Sequence, residues 1–241
     1  LILAISGTVI YYTGYSSNFD FVLAIDSSGT MLANDFFPTR LDAAKEAAIL
    51  FVESVPEDAH VAVVSFAGTT FVKSTLTNDV FRSKEAIRNI SVNFVGGTAI
   101  GEAIITSTNL LLDSKRTKAI ILLTDGQNNV GPSLEDAIAY ANKNNVMIHT
   151  IGIGTEEGGT FANITFVTKL NIEDLQMIAN ETGGIFFTAK NREELIKTYK
   201  EIAHSNKQKI RLDISPYLLL GAVVIIFIEW ILMNTKWKPL P

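Results

Sequence analysis

A doubly wound, mostly parallel α/β sheet with one antiparallel edge strand, flanked by transmembrane helices, is what this sequence predicts. Three observations carry that reading. Short, nearly unbroken apolar runs at Phe21–Ile25, His60–Phe66, Ala119–Thr124 and Val146–Ile151 have the composition of parallel strands covered on both faces. Stretches with helical spacing alternate with them, as in right-handed βαβ units. Outside that alternation, apolar segments stand at both ends of the chain.

The bulk composition agrees. The chain has 241 residues, of which 47% are hydrophobic, and its mean hydropathy is +0.26. That is high for a soluble domain and points to membrane segments. A formal net charge of −5, without a long Lys/Arg run, argues against a nucleic-acid partner. With no cysteine there is no disulfide, thiolate metal site or Cys nucleophile.

Taken in order, residues 1–15 read as a membrane segment, the end of a transmembrane helix. Residues 19–206 hold the α/β domain. Phe21–Ile25 is its first strand, and Asp26-Ser27-Ser28-Gly29-Thr30 follows at once. Thr39 with Asp42 fits a capping box at a helix start. Leu41, Ala44, Ala48, Phe51, Val52 and Val55 then recur at helical spacing. His60–Phe66 is a second strand and Thr70–Thr75 a short antiparallel one at the edge. A helix over Phe81–Ile90 leads to Val95-Gly96-Gly97-Thr98, which opens a helix running to about Leu112. Ala119–Thr124 is a further strand, ended by Asp125-Gly126, and Ser133–Asn142 a helix.

Val146–Ile151 is the next strand. Glu156–Lys169 breaks the alternation and reads as an inserted hairpin, since Thr160–Val167 is rich in β-formers. Helix Ile172–Asn180, strand Ile185–Thr188 and an amphipathic helix from Arg192 to about Ser205 complete a Rossmann-like domain. Residues 207–215 are a polar linker, 216–234 a transmembrane helix and 235–241 a tail. Trp230, Trp237, Lys236 and Lys238 suit interfacial anchors.

In open α/β sheets, ligands bind at the carboxyl ends of the strands, near the topological switch. Asp26, Ser28 and Thr30 lie there in one loop, Thr98 in a second and Asp125 in a third. Carboxylates and hydroxyls without cysteine or histidine suit a hard cation: Mg²⁺, or alternatively Mn²⁺ or Ca²⁺. The competing reading of the first loop is a plain strand-to-helix turn, since Asp, Ser and Gly are turn formers. Asn128 and Asn129 are either the rim of that site or a polar loop. His60, His149 and His204 fall in strands or the last helix and read as structural or surface residues. No Walker A sequence and no G-x-S-x-G elbow occurs.

DSSGT, GGTAIG and LLTDG, in this order, resemble the metal-ion-dependent adhesion site of von Willebrand factor type A domains. Asp26, Ser28, Thr98 and Asp125 match that pattern, and Thr30 stands where the family has serine. RLDAAKEAA, VVSFAGT, TIGIGT and the flanking apolar segments look most like the membrane-anchored, Bat aerotolerance-type prokaryotic members. The resemblance implies a non-enzymatic module whose metal takes a carboxylate from a partner protein. Partners it implies are a MoxR-type AAA+ ATPase or other membrane proteins of the same family. It also implies a cell-membrane location with the domain extracytoplasmic, although basic residues flank the second apolar segment on both sides. Alternatives are a metal-dependent hydrolase or phosphatase, and a structural scaffold of a membrane complex with a vacant metal site.

Overall fold

The computed structural model describes residues 9–15, 19–126, 128–154, 159–161, 164–166, 171–204, 207–213 and 215–234. The chain divides into two compact units, one of 17–205 and one of 1–16 with 206–241.

The larger unit is built on a six-stranded sheet. Its strands are β2 (Phe19–Asp26), β3 (His60–Phe66), β4 (Thr70–Thr77), β5 (Thr117–Thr124), β6 (Val146–Ile153) and β9 (Phe186–Ala189), in the order β4-β3-β2-β5-β6-β9. All neighbours are parallel except β3 and β4, so the antiparallel strand lies at the edge as the sequence predicts. The central strand explains its own composition. Successive side chains leave a strand on opposite faces. Phe19, Phe21, Leu23 and Ile25 enter one core while Val22 and Ala24 enter the other, so no position is free for a surface residue.

Helices close both cores. Over the first lie α1 (Arg40–Ser54), α2 (Val80–Arg88) and, later in the chain, a helix over Arg192–His204; they contribute Phe51, Ile87 and Tyr199. Phe21 meets Phe51 edge-on with ring centroids 5.2 Å apart. Over the second lie α3 (Ile100–Leu110), α4 (Leu134–Lys143) and α5 (Ile172–Glu181), with Ile104, Ile138 and Ile178 buried. The Arg192–His204 helix is α6. Thr39 caps the helix as expected: its hydroxyl accepts from the Asp42 backbone N–H at 3.1 Å, and the Asp42 carboxylate takes the Thr39 hydroxyl at 2.7 Å. The inserted hairpin is β7 (Gly159–Phe161) paired antiparallel with β8 (Ile164–Phe166).

From β2 the chain steps outward to β3 and β4, then returns to the other side of β2 for β5, β6 and β9. The switch of direction therefore falls between β2 and β5, and it sets the end of β2, Asp26, beside the end of β5, Thr124.

One buried polar group makes the fold pH-sensitive. His149 on β6 is 5% exposed, and its Nδ1 accepts from the Ile185 N–H at 3.2 Å. Burial pushes its pKa down to about 4. The neutral ring is native, so its contribution is complete above the ordinary value of about 6.5 and is lost as pH falls from there to about 4. The difference is of order 3 kcal/mol. His149→Gln should remove this part of the acid loss, read as the urea-unfolding difference from wild type at pH 7.5 and at pH 4.5.

In the smaller unit, two expectations are corrected. Val9–Tyr15, expected as the end of a transmembrane helix, is a strand, β1. It pairs antiparallel with β10 (Lys207–Asp213), in the stretch expected to be a linker. The register sets Tyr11 opposite Arg211 and Tyr15 opposite Lys207. Val, Ile, Tyr and Thr favour a pleated surface, and VIYYTGY is made almost entirely of them. Lys207–Asp213 alternates charged residues with Gln208, Ile210 and Leu212, a strand period.

The expected span at 216–234 is helical, as α7 (Ser215–Asn234). Among the described residues, however, no helix is long and apolar enough to cross a membrane. Leu220, Val223, Phe227, Trp230 and Met233 on it are exposed. Residues 1–8 and the tail with Trp237, Lys236 and Lys238 lie outside the described residues, as do parts of the 156–169 insert.

Candidate metal centre

The end of β2 delivers Asp26 into a fully buried position, and the chain then turns sharply. The Ser28 N–H donates back to Asp26 Oδ1 at 2.8 Å, an Asx-type turn. A short 3₁₀ turn, Gly29–Leu32, follows, with Met31 plugged into the core. The turn doubles the chain back so that the Ser28 and Thr30 hydroxyls lie 3.0 Å apart. Ser27 anchors it to the neighbouring strand: its N–H and its hydroxyl both donate to the Phe66 carbonyl, at 2.7 and 3.0 Å.

From the adjacent strand end, Asp125 reaches the same place. The Thr30 hydroxyl donates to Asp125 Oδ1 at 2.9 Å. One residue earlier, the Thr124 hydroxyl donates to Asp26 Oδ2 at 2.6 Å. Two acids remote in sequence are thus stitched together by hydroxyls on each other's loops.

Thr98 comes from the third loop. Its N–H donates to Asn129 Oδ1 at 2.8 Å, and its carbonyl accepts from the Asn129 N–H at 3.1 Å. Its hydroxyl lies over Gly126, where an added Cβ would sit 3.4 Å from it. Gly97 has φ +93 and lies against Val130, so a side chain there would meet both strain and collision. Asn128 Oδ1 takes the Gly101 N–H at 3.1 Å. The two asparagines therefore couple the Thr98 loop to the Asp125 loop.

All five residues singled out from the sequence converge, four through direct hydrogen bonds and Thr98 through its loop. The sequence reading missed three others. Thr124 reads as the last residue of a buried strand, yet its hydroxyl caps Asp26. Arg40 reads as the first residue of an amphipathic helix, yet it is fully buried. Its Nη1 donates to Asp125 Oδ2 at 2.5 Å, while Nε and Nη2 donate to Asp35 Oδ1 and Oδ2 at 2.8 and 2.6 Å. The only hint of Asp35 and Arg40 in the sequence is opposite charge across a short Phe-Phe-Pro loop.

The electrostatics follow from burial. Asp26 is pushed up to about 7, first by loss of solvent and next by Asp125, against the pull of Thr124 and Ser28. Burial also raises Asp125, opposed by the Arg40 charge and the Thr30 bond. For Arg40, burial acts against the charge, but its bonds to Asp35 and the charge of Asp125 outweigh it.

Among the described residues, no group of three or more His, Cys, Asp or Glu side chains could hold a metal ion. This site offers a different set: two carboxylates with hydroxyls. Those donors fit a hard divalent cation, since ionised carboxylates are disfavoured here by burial and by each other, and a cation would relieve both.

Exposed apolar side chains stand close in sequence to Arg40, Thr98 and Asp125. Phe37 is 85% and Phe94 79% exposed, with Val95 and Val130 also exposed.

Known proteins share this architecture. A family model for the von Willebrand factor type A domain matches residues 21–127. A UPF0353 protein of Nocardia farcinica is 30% identical over 232 residues, covering 85% of this chain and 68% of its own. Across curated relatives the chain spans 59% to 68% of their length in the first two cases. Among solved structures, BatB from Bacteroides thetaiotaomicron is 30% identical with a TM-score of 0.68, covering 77% of this chain and 97% of that one. An aerotolerance-related membrane protein from Bacteroides fragilis is 26% identical with a TM-score of 0.69, covering 78% and 99%.

Proposed function

Because this chain belongs to the von Willebrand factor type A family, in its prokaryotic Bat-like branch, we propose that it is a membrane-associated protein-interaction module. It holds a divalent cation on Asp26, Ser28, Thr30, Thr98 and Asp125, Mg²⁺ first and Mn²⁺ or Ca²⁺ as alternatives. The observation behind this is the direct hydrogen bonding of Asp26, Ser28, Thr30 and Asp125 at one sheet end, with both acids buried.

When bound, the cation supplies an open coordination position for an anionic oxygen. The protein's own residues do the rest. Asp26 and Asp125 supply negative charge, and the hydroxyls supply neutral oxygens that leave the cation under-neutralised. The loops exclude water from the acids. Phe37, Phe94, Val95 and Val130 offer apolar surface beside a carboxylate delivered by a partner protein. Exposed aromatics grouped on loops are what a docking patch needs. A MoxR-type AAA+ ATPase or another membrane protein of the family is the proposed partner.

Membrane association is supported by α7, whose exposed residues are apolar almost all round. The Bacteroides fragilis relative is itself described as a membrane protein. We place the domain on the extracytoplasmic side.

A second reading has one observation in its favour. Arg40 and Thr30 already satisfy Asp125, so the site closes without a metal and the protein would serve as a scaffold. Calorimetry separates the two. Mg²⁺ should bind the wild-type chain with measurable heat, and Asp125→Ala should lose it while keeping its circular dichroism. No heat with Mg²⁺, Mn²⁺ or Ca²⁺ would favour the scaffold.

A further inference from the structure

Arg40 is the least expected group at this site. A guanidinium removed entirely from water sits in direct contact with an acid that the cation would use. Its placement is built, not incidental. Asp35 takes two of its N–H groups in a bidentate fork, the geometry that fixes an arginine most rigidly. Gly154, just past the end of β6, packs beside the guanidinium, where an added Cβ would be in ordinary van der Waals contact 3.5 Å from Nη2. Nη1 donates to Asp125 Oδ2.

The consequence is a division of Asp125 between two partners. Oδ2 is held by Arg40 and Oδ1 by the Thr30 hydroxyl. Among the described residues Asp26 has no such cation: its partners are the Ser28 N–H and the Thr124 hydroxyl. The two acids are therefore unequal. One is free to give its full charge to a cation, and the other is already paired.

Charge counting shows what that inequality does. Two free carboxylates would neutralise a divalent ion and leave it no electrostatic reason to take a third. With one of them paired to a guanidinium, a net positive charge remains at the ion. Asp35 is also negative and acts on Asp125 in the opposite sense, but Arg40 is the nearer and stronger influence.

We propose that Arg40, clamped by Asp35, is a positioning and specificity-determining residue. It keeps Asp125 from neutralising the cation and so tunes the site to capture a carboxylate ligand at the expense of tight cation binding. This rests on the metal-dependent reading above. It predicts that cation affinity and carboxylate affinity move in opposite directions when the clamp is altered, which a merely structural role would not produce.

The test uses the full chain in detergent, with Mn²⁺ followed by electron paramagnetic resonance and acetate as the carboxylate, read by its effect on the water-proton relaxation of the Mn²⁺-loaded protein. Asp35→Asn/Arg40→Gln removes the ion pair together. It should bind Mn²⁺ about tenfold more tightly and acetate about tenfold more weakly. Asp35→Asn alone leaves the guanidinium less compensated. It should weaken Mn²⁺ and tighten acetate, and it decides the matter if the double variant does not fold. Loss of both affinities together in a folded variant, or an acetate affinity that neither variant moves, would overturn the proposal while leaving metal-dependent binding intact. A wild-type chain that binds no Mn²⁺ would overturn both.

Discussion

Asp26→Asn is expected to abolish divalent-cation binding and, in the same protein, to raise the stability of the metal-free fold at pH 8. The first effect follows from position. Among the described residues no cationic side chain pairs with Asp26, and its oxygens are fixed by the Ser28 N–H and the Thr124 hydroxyl. An amide in its place offers one neutral oxygen and no charge, and Mg²⁺ affinity should drop at least a hundredfold. The second effect follows from the cost of ionising Asp26 where it sits. Its folded pKa is pushed up to about 7 from 3.8, by burial and then by Asp125. Between those values the native state keeps a proton that the unfolded chain has released. Stability is therefore complete below about 4 and is lost as pH rises through 7. At pH 8 the ionised acid costs on the order of 4 kcal/mol in the absence of metal. Asparagine avoids that cost and can keep both hydrogen bonds, since the Thr124 hydroxyl can accept from an amide N–H. Thermal unfolding in EDTA, beside Mg²⁺ titration, measures both effects. A variant that loses binding and is also less stable than wild type at pH 8 would show that Asp26 is structural.

Much of this arrangement is legible in the sequence because it depends on short-range rules. A strand covered on both faces must be apolar at every position, and Phe21–Ile25 is. An acid and two hydroxyls directly after such a strand have few roles other than a turn or a site. The Thr39 cap follows from spacing alone. What the sequence does not show depends on pairing across distance. An arginine that opens an amphipathic helix is expected to reach water. Arg40 is buried because Asp35 and Asp125 meet around it, and no local pattern encodes that meeting. Thr124 is hidden by its own strand, where a threonine passes for one more β-branched core residue. The ribbon of β1 and β10 escapes for the same reason: each strand has a readable period, but their partnership joins the two ends of the chain.

Divalent-cation affinity is expected to fall about tenfold for each pH unit below 7 and to level off above it. The cation must displace the proton that burial and the neighbouring acid hold on Asp26. Asp125 shares in this, because the two acids interact and the proton leaves the pair in linked steps. Arg40 and Thr30 pull Asp125 toward its ionised form, against the burial that raises it. Calorimetry in two buffers of different ionisation enthalpy counts the protons: about one released per Mg²⁺ at pH 6 and close to none at pH 8.5. An affinity that stays flat from pH 5.5 to 8.5 would mean that neither acid is protonated before the cation arrives. The same proton links binding to folding with opposite signs. As pH rises through 7 the metal-free fold weakens while the cation binds more tightly, so the rise in unfolding temperature produced by Mg²⁺ should be larger at pH 8 than at pH 6. An equal rise at both pH values would mean that the proton on Asp26 is not linked to cation binding.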